Sequence, residues 1–384
     1  MEQTNKLVSV FVPYYNDRTF LCDCIDSILS QTYENFELVL LNHASTDGSD
    51  NLARTYSDPR IRHIALEKNL GAGGGVLFRE FLNVAQGEYV KLFCADDIMH
   101  PDFLENFICH MKENPQIDIV FGNVEYVDEH QKSLRDNWFH NRPDFDLTDG
   151  KFEMLQKYSN GISALPYIGC FAKRAIFDTV VPNRTFIMLF DMNLWVELLL
   201  NDAHFGFMDK IVASYRIHEG QVSSIANLQI CTTRSFYETT AYCDVFYNHI
   251  HDIDTLKKIF ITSPFRDRLD NEDTDLIEFV IAHTYLLSTN ISYQLNAYLR
   301  LERIFADERS SKRIEQKFDY GIKEFREDYS DNTHAAKSRF TRQLKELPFT
   351  QITRILLSKS WKMCKDKTLR KIGSNPRRRK KYTA

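Results

Sequence analysis

The sequence predicts an α/β protein in which a sheet of parallel strands is followed by a helical region. Two observations lead to this prediction. Short apolar runs rich in β-branched and aromatic residues alternate with helix-like segments in the first part of the chain, and only long helical patterns follow after about residue 225. A βαβ rhythm of this kind is typical of a parallel sheet with helices packed on it.

Four apolar runs are predicted as strands buried on both faces: 7–12, 36–41, 61–66 and 89–93. Between the first two, apolar side chains share one helical face at positions 20, 24, 25, 28 and 29. Helical spacing also runs through 275–306. Ligands of open α/β sheets bind beyond the carboxyl ends of the strands. The predicted site therefore lies in the segments that follow the strands: 13–17, 42–48, 69–75 and 94–97.

Composition excludes several classes of protein. The 384 residues are 43% hydrophobic and 26% charged, with only 14 Gly and 10 Pro, which excludes collagen and low-complexity disorder. The eight cysteines lack C-x-x-C spacing, so neither a zinc site nor a disulfide framework is expected, and a reducing cytoplasm is favoured. No uninterrupted apolar run of about 18 residues occurs, so no membrane span or secretion signal is expected.

Charge is distributed unevenly along the chain. The net charge is −5, but residues 335–384 carry +14 and the preceding residues −19. We therefore predict three parts, 1–225, a helical appendage at 226–334 and a basic tail at 335–384. The tail suits an anionic membrane surface. The alternatives are a solvated terminus or a helix that packs on its own domain, and nucleic acid is not expected because the tail lacks interleaved stacking aromatics.

Asp96 and Asp97 directly follow the fourth predicted strand. Two adjacent carboxylates repel each other unless a cation or hydrogen-bond donors neutralise them. Mg²⁺ or Mn²⁺ holding a substrate diphosphate is the economical explanation, since both ions favour oxygen ligands. The alternative is that the pair caps a helix or fills a turn.

Ordered sequence blocks carry a family resemblance. They are VSVFVPYYN at 8–16, SILSQTY at 27–33, STDGS at 45–49, EKNLG at 67–71, GEYV at 87–90 and ADD at 95–97. Together they resemble family 2 glycosyltransferases over about residues 6–224. The resemblance implies the GT-A fold, a Rossmann-like mixed sheet, with 1–225 as the catalytic domain. It also implies inverting transfer from a nucleotide-diphosphate sugar, a UDP-sugar being favoured, usually with Mn²⁺ or Mg²⁺.

The resemblance also assigns roles to individual residues. Asp97 matches the metal-binding carboxylate, with His218 as a second metal ligand, and Asp96 matches a contact of the nucleotide sugar. Arg216 matches a contact of the diphosphate. Asp191 matches the base that deprotonates the acceptor hydroxyl, although it could merely cap its helix, and a lone histidine such as His218 is often structural.

The other predicted nucleotide-sugar contacts lie after the first three strands: Pro13, Tyr15, Asn16, His43, Asp47, Gly71 and Arg79. The chain departs from the family pattern where Asn42 and His43 replace two aspartates, Cys94 replaces another, and Phe190 replaces a glutamate. The glycines at 71–75 let backbone N–H groups approach a phosphate, or form a flexible loop.

Two functions from different classes remain open. The first is an enzyme of cell-surface polysaccharide synthesis that acts on a glycan or lipid-linked acceptor, in the cytoplasm or at the inner face of the plasma membrane. The second is a noncatalytic glycan-binding or scaffolding relative, which the departures at 42, 43, 94 and 190 motivate.

Overall fold

The computed structural model describes residues 6–71, 74–139, 149–162, 165–181, 183–221 and 228–330, without the side chains of 228–232. The basic tail predicted at 335–384 lies outside these residues, and so do Ala72 and Gly73 of the glycine run. Among the helices of the described part, none is both long and apolar enough to span a bilayer.

One sheet organises the described residues. Its strands are β1 Val8–Tyr14, β2 Phe36–Asn42, β3 Ile61–Ala65, β4 Tyr89–Leu92, β5 Ile98–Met99, β6 Ile119–Val127, β7 Ser133–Asn137, β8 Cys170–Lys173 and β9 Phe205–Arg216. The spatial order is β3-β2-β1-β4-β8-β6-β9-β5, and β7 pairs with β6. Neighbours β3, β2, β1 and β4 are parallel, β8 is antiparallel to both β4 and β6, and β6 is parallel to β9. The sheet is therefore mixed, as the family resemblance implies.

The predicted strands are confirmed, but one of their predicted environments is wrong. Strand β2 is buried at every position and β1 at all positions except Pro13. Strand β3 is half-buried along most of its length and exposed at Ala65, because it forms the edge of the sheet and only β2 pairs with it.

The helices are α1 Leu21–Leu29, α2 Ser49–Ala53, α3 Gly74–Val84, α4 Phe103–Glu113, α5 Lys151–Ser159, α6 Phe190–Leu200, α7 Leu228–Tyr242, α8 Asp244–His249, α9 Ile253–Ile259, α10 Ile277–Leu286, α11 Ile291–Ala306 and α12 Glu308–Phe318. The predicted helical stretch 275–306 is thus two helices. They separate before Asn290, whose side chain caps α11 by accepting a hydrogen bond from the Ser292 N–H (2.9 Å).

The main apolar core lies between the sheet and the helices that follow its first strands. It includes Val10, Val12 and Leu40 from the sheet, Ile25 from α1 and Phe107 from α4, all with essentially no exposed surface. The described residues up to 321 form one compact unit that holds both the sheet and α7 to α12. The three-part division at residues 225 and 334 stays a prediction.

Candidate active site

Strand direction determines which loops meet. Strands β1, β2, β4, β6 and β9 all point the same way, because β8 reverses between β4 and β6. Their carboxyl ends therefore lie along one edge of the sheet. Residues after β1, β2, β4 and β9 supply the predicted site at that edge.

Asp97 follows β4 and is 1% exposed. Its Oδ1 accepts a hydrogen bond from the backbone N–H of Arg216 (2.8 Å), at the end of β9. Its Oδ2 is buried and has no hydrogen-bond partner within the described residues. Burial, followed by the neighbouring charge of Asp96, raises the pKa of Asp97 well above its usual range. A buried carboxylate oxygen without a donor is the environment that a bound cation would satisfy.

Cys94, Asp96 and Asp97 form a cluster whose possible ligand atoms lie within 4.8 Å of one another. Burial raises the pKa of the Cys94 thiol well above its ordinary value, so that this sulfur stays protonated and ligates poorly. The two carboxylates remain as oxygen donors. Such a set fits a hard divalent cation that completes its coordination with phosphate oxygens and water.

His218 lies beside Asp96 rather than Asp97. Its Nε2 is 3.1 Å from Asp96 Oδ2, and its ring packs on Phe20 with 4.7 Å between the ring centroids. The structure therefore places His218, the second predicted metal ligand, next to the Asp96–Asp97 pair. Contact of His218 with a metal stays a prediction.

Arg216 is 1% exposed, and its guanidinium is bound by the protein. Its Nε donates to the backbone oxygen of Asp96 (2.8 Å) and its Nη1 to that of Glu129 (3.0 Å). Its Nη2 donates to Asp23 Oδ2 (2.9 Å), and the Phe20 ring lies 4.4 Å beneath the charge. These contacts fix the loop that carries Asp96. Arg216 therefore has a structural role that the sequence did not predict. Contact of its side chain with a diphosphate stays a prediction.

The loops after β1 and β2 are joined by side chains of the predicted nucleotide site. Asn16 has a left-handed φ of 58°, and its Oδ1 accepts a hydrogen bond from the Thr46 N–H (2.8 Å). Asp47 accepts hydrogen bonds from the Ser49 N–H (2.9 Å) and the Arg18 N–H (3.1 Å). Partial burial opposes these bonds, but they outweigh it and lower the pKa of Asp47. Asp47 therefore stays ionised and holds the loop in place.

His43 is 3% exposed and is bound from the opposite loop. Its Nε2 accepts a hydrogen bond from the backbone N–H of Leu70 (2.7 Å), so the ring proton of the neutral form lies on Nδ1. Burial lowers the pKa of His43, which favours this neutral form.

Two other predicted nucleotide-sugar contacts differ in exposure. Tyr15 is 46% exposed, whereas Pro13 is half-buried within β1.

The described glycines of the run at 71–75 serve two structural needs. Gly71 has a left-handed φ of 88° and open space where a side chain would project. A Cβ on Gly74 would lie 2.3 Å from Phe190 Cδ1, and one on Gly75 would lie 2.0 Å from the backbone oxygen of Asn183. Gly74 and Gly75 therefore allow the start of α3 to pack against the segment that precedes Asp191. Arg79 is exposed on α3.

Asp191 lies in the first turn of α6 and is half-buried. Its Oδ1 accepts a hydrogen bond from the Met192 N–H (2.8 Å), and burial raises the pKa of Asp191 to about 6. A carboxyl with such a pKa is ionised at neutral pH yet basic enough to take a proton from a hydroxyl group during its attack. The neighbouring Phe190 is buried against Phe78, with 5.8 Å between ring centroids.

Sequence reasoning missed three groups around this site. Asp17 is half-buried after β1, and burial, with a smaller contribution from the charge of Asp96, raises its pKa to about 6. Lys91 is fully buried and donates to the backbone oxygens of Ile168 and Cys170 (3.1 Å for the latter), and burial lowers its pKa to about 8. Asp17 falls in the segment predicted to face a ligand, whereas a lysine inside an apolar strand gave no signal of a partner.

The third missed group is Tyr167, in the short 3₁₀ turn that precedes β8. Burial raises the pKa of its phenol well above the ordinary value, and the charge of Asp191 makes a smaller contribution in the same direction. Tyr167 is thus electrostatically coupled to Asp191. Its hydroxyl stays protonated at neutral pH and can donate a hydrogen bond.

Sequence comparison identifies similar proteins. Residues 9–180 match the family model described as glycosyl transferase family 2. An uncharacterized glycosyltransferase of Methanocaldococcus jannaschii is 28% identical over 220 residues, which cover 56% of this chain and 72% of that protein. One of Rickettsia felis is 32% identical over 225 residues, or 56% of this chain. The match spans only 35% of the rickettsial protein.

Solved structures agree, at the level of the fold, with the match to glycosyltransferase family 2. Residues 1–349 of S. aureus TarS, crystallised with UDP-GlcNAc, align with a TM-score of 0.53 and 16% identity over 88% of this chain and 92% of that one. The same protein crystallised with UDP aligns with a TM-score of 0.51. At this identity the likeness establishes the GT-A fold alone.

Proposed function

We propose that this glycosyltransferase, whose residues 9–180 match family 2, transfers a sugar with inversion from a nucleotide-diphosphate donor to an acceptor hydroxyl. In this proposal Asp97 is the ligand of a divalent cation and Asp191 is the general base. Asp96, the loops after β1 and β2, and Gly71 surround the donor.

One observation carries the proposal. The buried Oδ2 of Asp97 lacks a donor within the described residues, and it lies beside Asp96 at the edge where the carboxyl ends of the strands meet. A protein keeps such an oxygen unsatisfied at a cost of about 1–3 kcal/mol. That cost is recovered if a cation and a substrate diphosphate bind there. The same oxygen-rich pair favours Mn²⁺ or Mg²⁺ over softer metals.

The chain's own residues account for the chemistry of transfer. Asp191 accepts the proton of the acceptor hydroxyl while that oxygen forms a bond to the anomeric carbon of the donor. The bond from the anomeric carbon to the diphosphate breaks on the opposite face, and the nucleoside diphosphate leaves with the electron pair. When bound, the divalent cation would neutralise the charge that develops on this leaving group.

A UDP-sugar is the first donor to test, because the TarS neighbour was crystallised with UDP and with UDP-GlcNAc. We further propose a glycan or lipid-linked acceptor and a role in cell-surface polysaccharide synthesis. The basic residues 335–384 would bring the enzyme to the inner face of the plasma membrane by contact with anionic lipids. Unchanged binding to anionic liposomes after truncation at residue 335 would contradict this part of the proposal.

The test is a calorimetric titration of UDP, GDP, CDP and dTDP, with and without Mn²⁺, into the wild type and the Asp97→Asn variant. Asp267→Asn, which changes an exposed carboxylate, is the matched control. We expect Mn²⁺-dependent binding of one nucleotide by the wild type and the control only. Absence of binding by all three proteins would instead support the noncatalytic relative. The nucleotide that binds then selects the sugar donors for assays of nucleotide release.

A further inference from the structure

Glu238, in helix α7, binds the segment that leads into the helix of Asp191. Its carboxylate accepts three backbone hydrogen bonds from consecutive residues, with Ile187 N–H donating to Oε1 (2.9 Å) and Met188 and Leu189 N–H donating to Oε2 (2.8 and 2.9 Å). Glu238 is only 8% exposed. It lies 49–51 residues further along the chain and outside the family match at 9–180.

The three donors lie in the turn that leads into α6. Ile187 and Met188 precede the helix, and Leu189 is its N-cap residue, whose side chain makes no capping hydrogen bond. A carboxylate near this end of a helix interacts favourably with the helix dipole. Glu238, from another helix, therefore fixes the chain where it enters α6.

The opposite side of the same segment is fixed by close packing. A Cβ on Gly75 of α3 would lie 2.0 Å from the backbone oxygen of Asn183, and a Cβ on Gly74 would lie 2.3 Å from the Phe190 ring. Residues 183–190 are thus held by α3 through packing and by Glu238 through hydrogen bonds. Asp191 is the next residue, so the position of its carboxylate depends on the position of this segment.

We propose that Glu238 is a positioning residue for the general base: its carboxylate fixes the backbone of 187–189 and thereby aims Asp191 at the acceptor hydroxyl. The inference rests on the proposed role of Asp191 and extends the reaction machinery to helix α7. Glu238 itself touches neither donor nor acceptor in this proposal. A displacement of about 1 Å in a reacting group can reduce a rate by about 100-fold.

The test compares the full-length wild type with Glu238→Ala, Glu238→Gln and the control Glu302→Gln, which changes an exposed glutamate of α11. We expect Glu238→Ala to lower kcat by about 10- to 100-fold with little change in the Kd of the nucleotide, because the donor loops lie on other elements. Glu238→Gln keeps one strong acceptor and should lose less activity. Formate or acetate should partly restore kcat in Glu238→Ala by occupying the three N–H groups, and should not alter the control.

Hydrogen exchange gives a readout that does not depend on turnover. In Glu238→Ala the amides of 187–189 should exchange faster, while those of the sheet should not change. Unchanged exchange at 187–189, or a kcat equal to that of the wild type, would overturn the proposal. Equal losses of kcat, nucleotide affinity and global stability without rescue by formate would also overturn it, since they indicate general unfolding. An active wild type that is insensitive to Asp191→Asn would instead refute the proposed function.

Discussion

The backbone N–H of Arg216 donates a 2.8 Å hydrogen bond to Asp97 Oδ1 across 119 residues of sequence. The bond joins the end of β9 to the loop after β4 and leaves Oδ2 as the carboxylate oxygen without a partner in the described residues. The remaining oxygen, Oδ2, is thereby fixed in direction. The carboxylate is oriented before any ligand arrives, which is the usual requirement of a preorganised site.

Asp97→Asn should separate stability from metal binding. The substitution replaces a buried carboxyl group whose ionised form is disfavoured by burial and whose Oδ2 has no partner within the described residues, so the free energy of unfolding without metal should stay unchanged or rise by about 1 kcal/mol. Thermal unfolding with EDTA and with Mn²⁺ plus nucleotide measures both effects. If the variant gains the same thermal shift as the wild type on adding Mn²⁺ and nucleotide, Asp97 is not the metal ligand.

The rate of transfer should follow the ionisation of Asp191. Burial raises its pKa to about 6, and only the ionised form can accept a proton. We therefore expect kcat to be constant above about pH 7 and to fall about tenfold per pH unit below about pH 6. Asp191→Asn should lower kcat by about 10²- to 10⁴-fold and leave the Kd of the nucleotide unchanged. A pH profile of kcat in which activity is retained at pH 4 would argue against Asp191 as the base.

His43 should make the donor site sensitive to acid. Its folded pKa is lowered, so folding favours the neutral ring, and the stability from the Leu70 N–H bond is present above the ordinary pKa of about 6.5 and declines as pH falls below it. We expect urea unfolding to show a larger loss of stability from pH 7 to pH 5 in the wild type than in His43→Gln. Glutamine offers an acceptor that does not titrate. Identical losses in the two proteins would exclude this contribution of His43.

Gly75→Ala and Gly71→Ala distinguish two uses of the glycine run. A Cβ at Gly75 would collide with the backbone of Asn183, so Gly75→Ala should destabilise the protein by about 1–3 kcal/mol and lower kcat by displacing the segment before Asp191. Gly71 has open space but a left-handed φ, so Gly71→Ala should cost about 1 kcal/mol and leave kcat nearly unchanged. Melting temperatures and kcat of both variants test this. A greater loss of nucleotide affinity in Gly71→Ala than in Gly75→Ala would favour the phosphate-binding interpretation of the loop.

Local patterns in the sequence predict much of the fold. The apolar segments that form β1, β2 and β4 are short and nearly continuous because both faces of these strands are covered. The Asp96–Asp97 pair was evident because two adjacent carboxylates at the end of a buried strand demand a neutralising partner. The edge position of β3 could not be predicted in the same way, since it depends on which strand lacks a neighbour.

Long-range partners account for what the sequence did not reveal. Glu238 looks like an ordinary acidic residue of a helix, and only the folded chain brings its carboxylate to the N–H groups of 187–189. Lys91 interrupts an apolar strand, and its acceptors, the backbone oxygens of Ile168 and Cys170, lie 77 and 79 residues away. A backbone oxygen carries no signature in the sequence, so such pairs cannot be recognised from residue type.

The position of β9 also determines how short a functional protein can be made. This strand lies between β6 and β5, although it starts 25 residues after the end of the family match at residue 180. A protein that stops at residue 180 would expose the edge of β6, strip β5 of its pairing and remove the N–H group that orients Asp97. Excision of the family domain alone should therefore yield an aggregating fragment. A shortened protein should also keep α7, because its Glu238 holds the segment before Asp191.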